Sequence, residues 1–515
     1  MRQPLLNRAR PGLARNVTID IPAPFGGING VDGLAGGAPP TDAIDLVNWM
    51  AVEGALETRP GHRIALDLET AKPVGFLEAF DDGDVQSIAA SNGKLFRLAG
   101  LPLTKTELGT GLGSDRWSFA IMNRRMFLVN GETAPRAVYQ GALVTPTFQK
   151  KSDETADLDL TKLFRVRAHA KRLFFAQKGS ARFWYTAAPG NIQGDLQSFD
   201  LSGVGNRGGT IVDIATITPD GAREGDDDAI VFFMSSGDAI MYRGSNPSDA
   251  AFWTRVGVFT SARPIASLTY GADVLTASVD GYGELSRLLP SGRSPIAGFG
   301  AKLGPLATRS TARFGANEGW QITYDARRRL ILVHVPQTPR FCEQHVMNAA
   351  TGAWTRWTDL PATVWGLIGD ALAFGTRDGK IAVMEGANDN GKPIVATGQP
   401  TWQQLGAAGR VKKINGVRPI VITRGTPSIS TVLAADFRAP AYSAPETIPI
   451  PADVGVWDKG VWDKSVWGGA ERVTSLRQAG GVSGNYIAAG LRADTITDPL
   501  RWVSMSLQAE IGGAA

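Results

Sequence analysis

Few residues in this chain have the type and spacing to do chemistry. Glu224-Gly225-Asp226-Asp227-Asp228 gathers four carboxylates in five positions, the hard oxygen donors that Ca²⁺ prefers. The alternating ligand spacing of a calcium loop is missing, and the run leads directly into the apolar stretch "AIVFFM". It reads as a solvated turn before a strand. "GANDNGKP" (386 to 393) matches the opening of a phosphate-binding loop through Gly386, Gly391 and Lys392. The next position needs a hydroxyl for Mg²⁺, and Pro393 has neither a hydroxyl nor a backbone donor. This too reads as a turn. His62, His169, His334 and His345 are scattered, with none at the i, i+4 spacing of a zinc helix. Cys342 and His345 form a pair without further ligands, and His334 sits in the strand-like "ILVHVP". No Gly-x-Ser-x-Gly elbow is present for acyl transfer, nor repeated Ser-x-Asp-x-Gly-x-x-Trp boxes of the sialidase-like kind. No residue is assigned a catalytic, cofactor or metal role, and no cofactor is expected.

Composition narrows the classes further. With 43% hydrophobic and 20% charged residues over 515 positions, the chain has material for a large core and two to four domains. The net charge of +4 comes from interspersed signs, so no nucleic-acid-binding stripe is indicated. Arg2, Arg8, Arg10 and Arg15 read as a solvated arm. A single cysteine excludes an internal disulfide framework and fits synthesis in a reducing cytoplasm. No stretch approaches the roughly 18 apolar residues of a membrane span, and the first residues lack the apolar segment of a secretion signal.

The elements that must carry any site are strands. Hairpin signals recur at Asn92-Gly93, Asn130-Gly131, Lys178-Gly179, Ser236-Gly237, Asp280-Gly281, near Ala326 and at Asp378-Gly379. Successive turns lie 38 to 58 residues apart, close to the roughly 40–50 residues of a four-stranded propeller blade. Paired β-sandwiches would also repeat hairpins, but the period favours the propeller. The expected fold is all-β: a β-propeller of roughly six or seven blades over 71–385, with a smaller β-rich platform. The platform would combine an N-terminal arm and segment, 1–70, with a C-terminal β domain, 386–515.

Within the first segment, "TDAIDLVNWM" suggests a short helix, with Thr41 as N-cap and Ile44 and Val47 three apart. "ALETRPGHRIAL" reads as a strand broken at Pro60-Gly61. The segment has too little apolar periodicity for a core of its own and should pack on the C-terminal domain. In that domain "GVWDKGVWDKSVWGG" places Trp457, Trp462 and Trp467 five apart, a spacing that shares a face in neither helix nor strand. Turn-forming Asp-Lys triplets separate them, so each Trp is expected on its own tight turn, either in the core or at a subunit interface.

"GGINGVDGLAGGAPPTDAIDLVNWMAVEGALETRPGHR" resembles the N-terminal segment of nozzle-type tail proteins of short-tailed bacteriophages, the tail tubular protein B group and related packaged-DNA stabilisation proteins. The likeness rests on Gly26-Gly27, Asp42 to Asn48-Trp49, Gly54 and Arg59-Pro60-Gly61. It continues, in order, through "HAKRLFFA", "FWYTAAPGNIQGDLQSFDLSGVGNRGGTIVDIATIT", "DDAIVFFMSSGDAIMYRGSNPSDAAFWTRVGVF", "FCEQHVMNAATGAWTRWTDLPATVWGLIGDALAFGTRDGKI" and the Trp repeat. The resemblance implies a propeller with a platform domain in a homo-oligomeric ring, a hexamer in that family. It also implies adaptor or portal neighbours, tail fibre or spike partners, and double-stranded DNA passing through the lumen. The location implied is the phage tail of the virion, after synthesis in the bacterial cytoplasm. The near-neutral charge suits a conduit, because dense Lys and Arg would hold phosphates. On this reading the chain is a structural protein of the DNA ejection channel that retains packaged DNA, not an enzyme. Trp49, Arg59 and the three repeat tryptophans are its structural or interface candidates. The alternatives are a tail propeller that binds host surface glycan and, third, one that cleaves it.

Overall fold

The computed structural model describes residues 15–32, 37–217, 228–288, 298–448, 454–455, 466–467 and 471–514. Among these the regular structure is nearly all strand, with one α-helix, Pro305–Phe314. The chain divides into two compact units, one of 63–350 with 359–384, the other of 1–62, 351–358 and 385–515.

The first unit is a β-propeller arrangement. Its blades are antiparallel meanders in chain order, the first strands being Val74–Asp81, Ser118–Met122, Leu163–His169, Ile211–Ile217 and Pro264–Tyr270. Two-residue turns close many of the hairpins. At Asn92-Gly93 both residues take positive φ (57° and 68°), Ser91 pairs with Lys94, and both turn amides donate to the Asp115 carboxylate. Strands such as Ala229–Met234 are buried at every position, because a blade is covered on both faces by its neighbours. Phe76, Ile88 and Leu95 of the first sheet pack on Trp117, Met126 and Leu128 of the second. Phe183 of the third stacks on Phe232 of the fourth, with ring centroids 4.4 Å apart.

The blade count departs from expectation. Five sheets stand alone, rather than six or seven. Two more meanders follow, beginning at Gln321–Asp325 and Ala362–Ile368, but they belong to a larger sheet of sixteen strands. The strand Ala362–Ile368 lies against Val74–Asp81, and Gly366 permits the approach, since a Cβ there would overlap the Leu77 carbonyl.

The second unit contains the longest strands. Leu500–Ala514 pairs antiparallel with Arg410–Thr423 on one side and with Arg15–Pro22 on the other. A second group joins Asp42–Val47 to Lys392–Pro400, then to Ile487–Thr495 and Ser428–Ala435.

The helix expected from Thr41 onward is absent. Residues 42–52 form two strands, Asp42–Val47 and Trp49–Val52, broken at Asn48, whose φ is 60°. The register of Asp42–Val47 against Lys392–Pro400 shifts between Ala43 and Asp45. That irregularity places buried Ala43 and Leu46 three apart, so a bulged strand imitates helical periodicity. Pairing with a remote strand outweighs the local preference.

Candidate functional site

Arg59 organises a buried polar cluster of the second unit. Its side chain is 1% exposed, and all five guanidinium protons have acceptors. Nε donates to Asn48 Oδ1 at 2.9 Å. One terminal nitrogen donates to the Pro60 carbonyl at 3.0 Å and Asp389 Oδ1 at 2.9 Å. The other donates to the Thr358 carbonyl at 3.1 Å and Asp389 Oδ2 at 2.7 Å. The planar fork thus meets a carboxylate with two parallel bonds and closes three chain segments around itself. His62 Nδ1 lies 3.1 Å from Asp389 Oδ1. Burial pushes the Asp389 carboxyl up, but the hydrogen bonds from Arg59 and His62 outweigh it and hold the group below its usual range.

Asn48 extends the cluster, accepting from the Thr358 amide at 2.9 Å and donating to the Val395 carbonyl at 2.8 Å. Its positive φ turns the chain so that Trp49 points inward. Trp49 is fully buried, its ring 5.9 Å from that of Trp502, and its carbonyl accepts from the Trp357 indole at 3.0 Å. A Cβ on Gly61 would overlap the Asn388 carbonyl, which explains glycine after Arg59-Pro60. Trp49 and Arg59 are therefore brought together in one interior junction. Trp457 and Trp462 lie outside the described residues. Trp467 belongs to the short strand Val466–Trp467, which pairs in parallel with Val454–Gly455.

The remaining sequence candidates are dispersed. "GANDNGKP" forms a tight hairpin in which Asp389 pairs with Lys392 across Asn390-Gly391. Of the acidic run, 224–227 lie outside the described residues. His169 Nε2 sits 2.9 Å from the Gly244 carbonyl, and His345 bridges the Tyr282 hydroxyl and Glu343, both at 2.7 Å. Among the described residues no group of three or more His, Cys, Asp or Glu could hold a metal.

Sequence reasoning missed the axis of the propeller unit. There the first strands border a cavity of about 840 Å³ lined by Glu78, Arg116, Arg165, Arg167, Asp213 and Arg263. The available signal was the alternation "RVRAH", which puts Arg165 and Arg167 on one side of an innermost strand.

Fold and site together define an all-β chain that pairs a β-propeller arrangement with a second β-rich unit. No protein-family model matches it, and no curated protein matches its sequence. Among solved structures it is similar to a streptogramin B lyase, at 11% identity and a TM-score of 0.41, over 63% of this chain and 97% of that one. It is similar also to virginiamycin B lyase from Staphylococcus aureus, at 13% identity and a TM-score of 0.40, over 62% and 97%. A third is BBS1N, crystallised in complex with ARL6DN, at 13% identity and a TM-score of 0.39, over 65% and 100%. Likeness at this level says nothing of activity.

Proposed function

We propose that the chain is a structural virion protein, the nozzle or head-to-tail adaptor of a short phage tail, and not an enzyme. In this role it extends the DNA channel, retains packaged DNA and passes it on at ejection. The observation that supports the reading is the Arg59 junction. Four of the residues that carry the family resemblance near the N-terminus, Asn48, Trp49, Arg59 and Gly61, are spent on locking segments of one chain together. Such an interior is what a scaffold needs.

In the same reading, the meanders beginning at Gln321–Asp325 and Ala362–Ile368 serve as the sixth and seventh blades, and several copies assemble as a ring beside adaptor or portal proteins. The balanced charge, +4 over the whole chain, lets duplex DNA slide rather than bind. Quantitative mass spectrometry of purified particles tests the proposal. The chain is expected in a fixed ratio to the portal, with the copy number of a ring. A chain found only free in the lysate overturns the reading.

A further inference from the structure

The axial cavity of the propeller unit has a charge imbalance that the nozzle reading does not use. Arg165 Nε is 3.2 Å from Asp213 Oδ1, and Arg116 Nε is 3.4 Å from Glu318 Oε2, so two of the four lining arginines are balanced. Asp213 is further engaged by the Ser267 hydroxyl at 2.6 Å. Arg167 donates to the Val166 carbonyl at 3.0 Å, and among the described residues neither it nor Arg263 forms an ion pair with a carboxylate. The third acid, Glu78, is partly buried, and burial pushes its carboxyl up to about 8, which leaves it mostly protonated at neutral pH.

The cavity therefore carries more guanidinium than carboxylate charge: Asp213, the acid that acts on Arg167, is already paired with Arg165, and Arg263 is exposed to solvent. Burial works against the charged form of Arg167, the Asp213 charge supports it, and Arg165 opposes it. The C-terminal end of the helix Pro305–Phe314 also borders the space, and two of its last carbonyls are occupied. Gly315 donates to Thr311 and the Trp320 indole donates to Phe314. Trp117, Phe119 and Trp320 supply an apolar wall. A volume of about 840 Å³ falls within the roughly 300–1,000 Å³ of small-molecule sites and is far too small for a DNA duplex.

From this cavity, its excess of guanidinium charge and its aromatic wall, we propose that the propeller axis is a binding site for a small ligand bearing a carboxylate or phosphate. The anion sits between Arg167 and Arg263, where charge-assisted hydrogen bonds offset the excess of guanidinium charge. The ligand's less polar face lies on the tryptophan side. Protonated Glu78 offers a donor and, when ionised, a repelling charge. The other charged groups facing it are Arg116, Arg165, Arg167, Asp213, Arg263 and Glu318.

Isothermal titration of the full chain with glucuronate, glucose 6-phosphate and neutral glucose tests the site. Binding of either charged sugar at neutral pH, with no heat from glucose, supports it and tells carboxylate from phosphate. Arg167→Gln combined with Arg263→Gln is expected to weaken the charged ligand at least tenfold. The wild-type chain supplies an independent arm should that variant misfold. Raising the pH through about 8 ionises Glu78 while glucuronate keeps its charge, so affinity should fall several-fold. Absence of binding by both charged sugars, equal binding of glucose, or anion binding indifferent to pH and to the two substitutions overturns the proposal. Particle incorporation does not depend on the outcome, so failure here leaves the nozzle reading standing.

Discussion

Arg59→Ala is expected to destabilise the chain by about 3–5 kcal/mol, the usual cost of breaking a buried ion pair from one side. The substitution strips Asp389 of its bidentate partner and removes one donor each from the Pro60 and Thr358 carbonyls and from Asn48 Oδ1, which keeps the Thr358 amide. Asp389 retains His62. That contact softens the loss without replacing a fork of two short bonds. Arg59→Lys should recover little, because a lysine ammonium cannot serve acceptors arranged around a plane. Combining Arg59→Ala with Asp389→Asn should cost less than the two separate losses together, since the second change removes the stranded charge. Denaturant unfolding monitored through tryptophan fluorescence gives these values. A loss below about 1 kcal/mol for Arg59→Ala would mean that the junction is dispensable.

The second large effect concerns acid. His334 is buried in the propeller unit, where Gln344 Nε2 and the Trp365 indole both approach its Nδ1, at 3.2 and 3.3 Å. Both are donors, so Nδ1 is the acceptor and the ring is neutral. Burial, reinforced by the charges of Arg116 and Arg377, pulls its pKa down from 6.5 to about 3. An unfolded chain takes up a proton near pH 6.5 that the folded chain refuses until about pH 3. The contribution to stability is therefore complete above the unfolded value and is lost as pH falls toward the folded one. At about 1.4 kcal/mol per unit, the loss reaches roughly 2–3 kcal/mol by about pH 4.5 and up to about 5 kcal/mol at the end of the window. His334→Gln keeps an acceptor but does not titrate, so its stability should decline less steeply below about pH 6.5. Parallel acid limbs for the two proteins would contradict the assignment.

Much of the propeller unit was legible because its signals are local. Each of the seven turn signals read from the sequence lies within or beside a hairpin of a different meander, from Ser91–Lys94 to the Asp378-Gly379 turn. Asn-Gly and Asp-Gly report their own backbone conformation, so they need no tertiary information. What the outermost strands pair with is not local, and the number of free-standing blades was misjudged for that reason. The same limit explains the missed strand at Asp42–Val47, where one bulge converts a period of two into an apparent period of three. Arg59 was singled out from its motif, but its role could not be read there. Its carboxylate partner is 330 positions away, in a hairpin that looked like a failed phosphate loop. The axial arginines were hidden for a related reason. Arg116 and Arg263 flank strands and Arg165 and Arg167 lie within one, and only the closing of the blades around one axis makes the four neighbours.

The central claim is a position within a particle, and cryo-electron microscopy of intact virions tests it most directly. The account predicts a ring of propeller-shaped density below the portal, surrounding the DNA channel, into which this chain can be traced through the Arg59 junction. Density for the chain at the tips of fibres, away from the channel, or no density for it in the particle would contradict the account.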